Sequence, residues 1–258
     1  MNEITEALEQ YKDHAITRAQ LLRQLLQYED WMMPKNEGVD SFGPFTLALA
    51  KLINDQNGKA RIFFFADGDA QERFAATCER TGGVGFANPT GSDVFSASLE
   101  GVHEVVIDPD APHEFVIPSS EFAEIKVLAD AIAIEQVWQR LRSGGEEEGD
   151  EARAARYPGY HLVMVQREEG VLLVNVPNDD GTRCTPVFTH ADALALALDE
   201  IREGFPGEEI KTIKVEGAQM FPVLANEKTD GIVFNYKGPG EPMAFELSMT
   251  EVMLRALA

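Results

Sequence analysis

Residue patterning predicts an α+β protein made of two tandem repeats of a small domain, each a mixed, mostly antiparallel sheet packed with helices. Three observations lead there. Gly91-Ser-Asp-Val-Phe95 and Gly217-Ala-Gln-Met-Phe221 place a glycine and a phenylalanine at one spacing, and both positions shift by 126 residues (217 − 91 and 221 − 95). Each segment is followed by an apolar strand with a polar closing residue, Glu104-Val-Val-Ile-Asp108 and Gly231-Ile-Val-Phe-Asn235, and then by a turn rich in Pro, Asp or Gly. Ahead of each glycine, a short β-type run leads directly into a helical pattern.

The elements follow in order. Residues 3–27 read as one helix, because Leu8, Tyr11, Ala15, Ala19, Leu22 and Leu26 recur at steps of three and four. Trp31-Met-Met runs into Pro34, which ends regular structure or begins a strand edge. Residues 45–53 are ambiguous, since their alternation suggests strand while Ala and Leu favour helix. Residues 61–65 are a strand, and Ala66-Asp-Gly-Asp69 opens a helix through Arg80. Residues 102–107 and 114–118 form a hairpin around a Pro/Asp turn.

A helix follows over 121–142, with a stripe of Phe122, Ile125, Leu128, Ala129, Ile132, Val137 and Leu141. Two glycines and a run of like charge over 143–151 read as a flexible acidic linker. The sheet domain of the second copy then spans 157–258. Residues 160–166 and 170–176 pair around Arg167-Glu-Glu, and Asn178-Asp-Asp-Gly-Thr182 turns into the strand ending at Phe188. Thr189-His-Ala-Asp192 resembles a capping box ahead of a helix over 191–203, where Leu194, Leu198 and Ile201 share a face. Residues 231–236 and 243–247 close the copy as a second hairpin. The boundaries are therefore 1–118 for the first copy and 119–258 for the second.

These residues resemble the SseB N-terminal domain family of bacterial proteins. The second copy carries the pattern best, in Pro186-Val-Phe-Thr189, Ala193 to Leu198, Gly217 to Phe221, Ile232-Val-Phe-Asn235 and the turn Gly238-Pro239-Gly240. The first copy looks like a divergent version, with Phe63 to Phe65 in place of the Pro-Val-Phe strand and Asp108-Pro109 in place of the Asn turn. The resemblance implies a fold rather than a reaction. The family name denotes a serine-sensitivity phenotype, and some members are associated with type III secretion. It brings no catalytic residues.

Composition narrows the function classes. The chain has 258 residues, 44 acidic against 22 basic side chains and a net charge of −22. Such a charge repels phosphate backbones and anionic membranes, so no nucleic-acid or membrane partner is expected. Cys78 and Cys184 make neither a disulfide framework nor a zinc site. The start, Met1-Asn-Glu-Ile-Thr-Glu, does not read as a secretory signal, and a reducing cytoplasm is the expected location.

No motif carries chemistry. His14, His103, His113, His161 and His190 include no helical His-x-x-x-His pair. With the turn centred on Asp110, His113 faces Ile107 and His103 faces Ile117, so the two imidazoles diverge on the hairpin surface. Asp67, Asp69 and Glu72 lack the spacing of a calcium loop and read as a helix start. Asp108 and Asp110 read as a surface turn rather than an acid/base pair. Gly82-Gly-Val-Gly85 follows a helix rather than a strand, so it is no phosphate loop. Cys78 reads as a buried structural cysteine and Asn235 as a strand-closing turn residue. No catalytic, cofactor-binding or metal residue is assigned, and no cofactor is expected.

The leading expectation is a non-enzymatic cytoplasmic interaction or adaptor protein with a protein partner. The alternative is a small-molecule-binding protein or enzyme with a cleft between the copies, using carboxylates such as Asp108 or Asp230. The family resemblance adds a third reading, a secretion-associated chaperone.

Overall fold

A computed structural model describes residues 2–35, 53–54, 58–79, 85–96, 99–167, 170–177, 181–238 and 241–258; the side chains of 53–54, 77–79, 93 and 96 lie outside that description. The segment 45–52, Gly82, Gly83 and Val84, the Cys78 side chain and the turn residues 168–169, 178–180 and 239–240 therefore lie outside the described residues. The chain is α+β. It divides into two compact units, Met1–Asp130 and Ala131–Ala258, inside a helix rather than at the 118/119 boundary expected from the sequence.

The single helix expected over 3–27 is two helices. α1 (Glu3–Lys12) starts at Asn2, whose side-chain oxygen accepts from the Thr5 amide, and buries Ile4, Ala7 and Leu8. His14 takes a left-handed φ of 59° and Ala15 is exposed, so the stripe breaks there. α2 (Arg18–Gln27) restarts at Thr17, which forms a reciprocal capping box with Gln20. Four leucines of α2 are buried, and the Trp31 indole N–H donates to the Leu25 carbonyl at 3.1 Å.

β1 (Met33–Lys35), β2 (Ile53–Asn54) and β3 (Ala60–Phe64) come next, then α3 (Gly68–Glu79), β4 (Gly85–Ala87) and α4 (Gly91–Ser96). β5 (Glu104–Ile107) returns parallel to β3, and β6 (Phe115–Pro118) pairs antiparallel with β5. β1 pairs antiparallel with β4, and a bridge from Met32 to Phe65 ties that pair to β3. The described strands thus form a two-stranded sheet, β1-β4, and a four-stranded sheet in the order β2-β3-β5-β6, joined at that bridge.

α5 (Phe122–Ser143) is continuous through the boundary between the units. Its stripe is as read from the sequence, with Ile125, Leu128 and Ala129 buried in the first unit and Ile132 and Val137 in the second.

The expected acidic linker is ordered at its end. Gly149 takes a φ of 89° and α6 (Asp150–Arg156) begins directly after it. Asp150 is 1% exposed. It accepts two hydrogen bonds of 2.7 Å from the Arg140 guanidinium and one of 3.1 Å from the Glu147 amide. Arg140 pulls the Asp150 carboxyl from 3.8 down to about 2. A charge run therefore packs against the domain because one of its carboxylates has a bidentate partner on α5.

β7 (Tyr160–Arg167), β8 (Gly170–Leu173), β9 (Val176–Pro177) and β10 (Arg183–Phe188) follow, then α7 (Ala191–Gly204), β11 (Glu209–Val215) and α8 (Gly217–Leu224). β12 (Gly231–Phe234), β13 (Met243–Glu246) and α9 (Ser248–Leu257) end the chain. β10 and β12 are parallel, and the order is β11-β7-β10-β12-β13. Among the described residues, β8 adds to β7 and β9 to β10.

Both faces of the second sheet are covered over its central strands. α7 lays Ala193, Leu194, Ala197 and Ile201 over Val163, Val165, Cys184, Phe188 and Val233. On the other face Trp138, Tyr160, Phe221 and Phe234 form an aromatic core, with Trp138 stacked on Phe234 at 4.1 Å. Polar atoms inside it are paired: the Trp138 N–H donates to the Tyr160 hydroxyl, which donates to the Ala154 carbonyl, both at 2.9 Å. Burial raises the Tyr160 pKa well above its usual value, so the phenol stays protonated and keeps this donor role.

The repeated glycines have one physical cause. Gly91 and Gly217 begin α4 and α8, and each donates its amide to the carbonyl of a tyrosine that ends a preceding helix, Tyr28 at 3.1 Å and Tyr157 at 2.9 Å. A Cβ at Gly91 would lie 2.1 Å from the Leu25 carbonyl oxygen, and one at Gly217 would lie 2.5 Å from that of Ala155. Neither neighbour is a flexible side-chain tip.

Two stability outcomes follow. Gly217→Ala is expected to cost about 1–3 kcal/mol in chemical denaturation, while Gly204→Ala, where an added methyl meets open space, stays neutral or stabilising. Equal effects at the two sites would contradict the close-approach account. Asp150→Asn should flatten the acid limb of the stability profile. Its folded pKa is depressed, so the wild-type contribution is present above 3.8 and is lost as pH falls towards about 2.

Candidate functional site

In open α/β arrangements, ligands gather at the carboxyl ends of parallel strands. Both parallel pairs of this protein carry polar clusters there. In the first unit, Asp108 follows β5 with a φ of 46° and is fully buried. Its Oδ1 accepts from the Ala66 amide at 2.8 Å and the Asp67 amide at 3.0 Å, and its Oδ2 lies 3.1 Å from His113 Nε2. The expected surface turn is thus wrong for Asp108, and the expected surface position is wrong for His113, which is 8% exposed. The hairpin register also differs, because Ile107 faces Phe115 and Val105 faces Ile117. The turn is longer than a hairpin centred on Asp110 allows, and His113 folds back into it.

Burial raises the Asp108 carboxyl above its usual range, and the two amides and His113 offset part of that shift. His103 lies elsewhere, accepting from the Ala60 amide through Nδ1 at 3.0 Å. Asp67 accepts from the Asp69 amide at 3.0 Å, as a helix start requires.

In the second unit the matching position is Asn235, with a φ of 51° and 2% exposure. Its Oδ1 accepts from the Thr189 amide at 3.0 Å and the Thr189 hydroxyl lies 3.1 Å away. Glu135 of α5 completes the cluster, accepting from the Thr189 hydroxyl at 2.6 Å and from Asn235 Nδ2 at 2.9 Å. Sequence reading passed over Glu135; its signal was a carboxylate among the apolar stripe of α5, one residue past Ile134. Thr189 is not the helix cap it resembles. His190 takes that position, accepting from the Asp192 amide.

Each of these groups is committed to backbone or to its neighbour. Asp230 accepts from the Arg183 amide at 2.8 Å and returns its own amide to the Arg183 carbonyl. The Cys184 thiol is buried, with the Thr182 hydroxyl 3.9 Å from its sulfur. Burial, with His190 and Lys214 nearby, lowers the His161 pKa and so favours the neutral imidazole. Among the described residues no group of His, Cys, Asp and Glu converges on a metal geometry, and no helix is long and apolar enough to cross a membrane.

Two surfaces stand out among the described residues. One is a cleft of about 400 Å³ in the first unit, where α3 lies over β3, β5 and β6; Arg61, Arg73, Phe63, Phe74, Val106 and Glu114 are among its lining. The other is the corner of the second sheet where β8, β7 and β11 meet. Val171 is 49% exposed, Leu172 51% and Ile213 38%. Pairing puts Leu173 opposite Met164 and Ile213 opposite Leu162, so Val171, Leu173, Met164 and Ile213 share one face, with Leu172 and Ile210 on the other. β11 has no strand on its outer side among the described residues.

Asp108 is separable into acceptor and charge. Its raised folded pKa means its contribution to stability is full below the ordinary 3.8 and is lost as pH rises through the folded pKa. Asp108→Asn keeps the Oδ1 acceptor without the buried charge and should lose that pH dependence with little cost near neutrality. Asp108→Ala should cost about 1–3 kcal/mol at every pH, because it strands two amides. Urea unfolding across pH that gives the two variants equal stability would refute the acceptor role.

Comparison with known proteins now bears on this architecture. No curated protein matches the chain significantly. Two solved structures align over most of it: Tic22 of Anabaena (protein transport), at 12% identity, covers 83% of this chain and 88% of its own, with a TM-score of 0.20. Tic22 from Plasmodium falciparum, at 10% identity, covers 80% and 86%, with the same TM-score. The model of the SseB protein N-terminal domain matches residues 125–253, half of the chain, from α5 through β12 and β13 into α9. By that match the chain belongs to the SseB N-terminal domain family.

Proposed function

We propose that this chain is a non-catalytic protein-interaction protein that binds an extended segment of a protein partner along β11, and that its two units are divergent copies of one SseB-type domain. The observation that carries the docking reading is the apolar corner of the second sheet. Its side chains are exposed on both faces beside β11, a strand of seven residues whose outer edge has no pairing among the described residues. Such an edge accepts a further strand, with backbone hydrogen bonds supplying affinity and flanking side chains supplying selectivity. Arg167 and Lys211 are paired with Glu208 at 2.9 Å and Glu209 at 3.6 Å, so the edge is mixed in charge and its apolar side chains supply the selectivity. The chain's charge of −22 disfavours nucleic acid as the partner.

Support for duplication comes from within each unit. With the Met32–Phe65 bridge counted as pairing, β4-β1-β3-β5-β6 runs in parallel with β11-β7-β10-β12-β13, and the parallel pairs β3–β5 and β10–β12 match. The glycine-to-tyrosine hydrogen bonds match, and Asp108 and Asn235 play the same part. β6 leads into α5 as β13 leads into α9, with Ile125 and Met253 both fully buried. On this reading α5 joins the closing helix of the first copy to the opening helix of the second.

The test is loss of a defined capture. Ile213→Glu combined with Leu172→Glu should abolish crosslinking to a partner that the wild-type chain recovers from cell extract. Both positions are exposed, so stability should stay within about 0.5 kcal/mol. Recovery of the same proteins by wild type and variant would reject the β11 surface.

A further inference from the structure

The parallel pairs allow the two units to be compared position by position. The Ala66 amide donates to Asp108 Oδ1 as the Thr189 amide donates to Asn235 Oδ1. α3 starts two residues after Ala66, and α7 two residues after Thr189. Ala70 of α3 therefore matches Ala193 of α7, and both are buried. One helical turn further on the units part: Phe74 of α3 stands where α7 carries Ala197.

That difference in size accounts for the cleft of the first unit. Ala197 is fully buried, and α7 packs there with Cys184, Phe188 and Val233 of the sheet. The Phe74 ring instead enters the layer between α3 and its sheet, edge to face with Phe63 at 5.5 Å and tilted against Phe65 at 5.2 Å. A phenyl group in that layer holds a helix further from its strands than a methyl group does, and space opens beside it where no other side chain fills in. Phe63, Val106 and Val116 are paired neighbours across β3, β5 and β6, so they form one row of the sheet wall. Ala70 and Phe74 line the cleft from the helix.

The lining points to the class of ligand. A slot between a helix and a sheet with phenyl groups on both walls favours a flat ring, because aromatic pairs settle edge to face or offset at about 4.5–7 Å between centroids. The polar lining works against a charged ligand. Arg61 and Arg73 stand with Asp110 and Glu114, two residues of each sign. A cation or an anion thus meets two residues of its own sign and loses hydration on entering. A neutral molecule meets neither cost. The volume of about 400 Å³ fits a small ligand, since ligand pockets run from about 300 to 1,000 Å³.

We propose that this cleft is a binding site for a neutral, flat aromatic molecule of one or two rings, held between Phe74 on the helix side and Phe63, Val106 and Val116 on the sheet side. The site is in the first unit and does not depend on the β11 surface of the second.

The experiment is an amide-resolved NMR titration of the full chain with indole. Indole-3-acetate and tryptamine carry the same ring with a negative or a positive charge, and cyclohexanemethanol is neutral without being flat. Saturable shifts are expected in β3, β5, β6 and α3, with a Kd for indole of about 1 mM or tighter. Indole should bind at least about threefold more tightly than each comparator, the worth of one aromatic contact. Phe74→Ala, which gives α3 the residue of α7, should weaken indole binding at least about tenfold. If Phe74→Ala perturbs folding, Val116→Trp fills the slot from its exposed rim and should weaken binding as much. Absence of saturation by about 10 mM indole, a comparator that binds as tightly as indole, shifts outside the first unit, or undiminished binding by Val116→Trp would overturn the proposal.

Discussion

A side-chain oxygen at the end of one parallel strand, holding the backbone just past the end of its neighbour, is the constraint on which each unit depends. Asp108 and Asn235 both close the ladder with their own amides, donating to the Phe64 and Val187 carbonyls at 2.8 Å. Each then turns left-handed, a conformation that Asp and Asn adopt more readily than other non-glycine residues. The turn directs the chain into a hairpin. It also aims Oδ1 at the loop that launches α3 or α7. One short polar side chain therefore fixes the helix start, the hairpin and the spacing of two strands. A longer or apolar residue would leave the buried amides of that loop without an acceptor.

The two units satisfy the same loop with different electrostatics. In the first, the acceptor is a carboxylate, and His113 covers its second oxygen. In the second it is an amide, and the acid is supplied from α5 by Glu135. Each solution places one carboxyl group in a buried strand-end cluster. Among the described residues no buried side-chain nitrogen or oxygen lacks a partner. Acidic groups at the place where ligands often bind thus resemble a catalytic pair in sequence, yet their lone pairs are occupied by donors of the fold itself.

Local features of the fold were legible where backbone chemistry is local. The strand-to-helix steps, the Ala-Leu run of α7 and the stripe of α5 follow from propensity and period, and Gly91 and Gly217 stood out because no other residue fits against a helix carbonyl. The break between α1 and α2 was legible too, in Thr17 and Gln20, but the leucine period ran across it. Other features depended on partners distant in sequence. Asp150 looked like one more solvated charge until Arg140 met it, and His113 looked like a surface residue until its hairpin turn proved longer than two-residue alternation implied. The candidate surfaces were least legible. A cleft over β3 and an uncovered corner at β8 are set by what fails to cover a strand, and no period or spacing within the strand records that.

The contrast between the units is a contrast in how a sheet is finished. Among the described residues, the β1–β4 pair of the first unit ends on β4, three residues long, and a short edge offers little backbone for another strand to join. Its open feature is a face, where Arg61 stands in place of a core residue. The second unit buries that face under α7 but carries seven residues of exposed edge in β11. Charged side chains stand along that edge, Lys214 and the pair of Lys211 with Glu209 at 3.6 Å, and joining another strand to it would desolvate them. The two units thus limit strand addition by different means, a short edge strand in the first and charged side chains along the edge in the second.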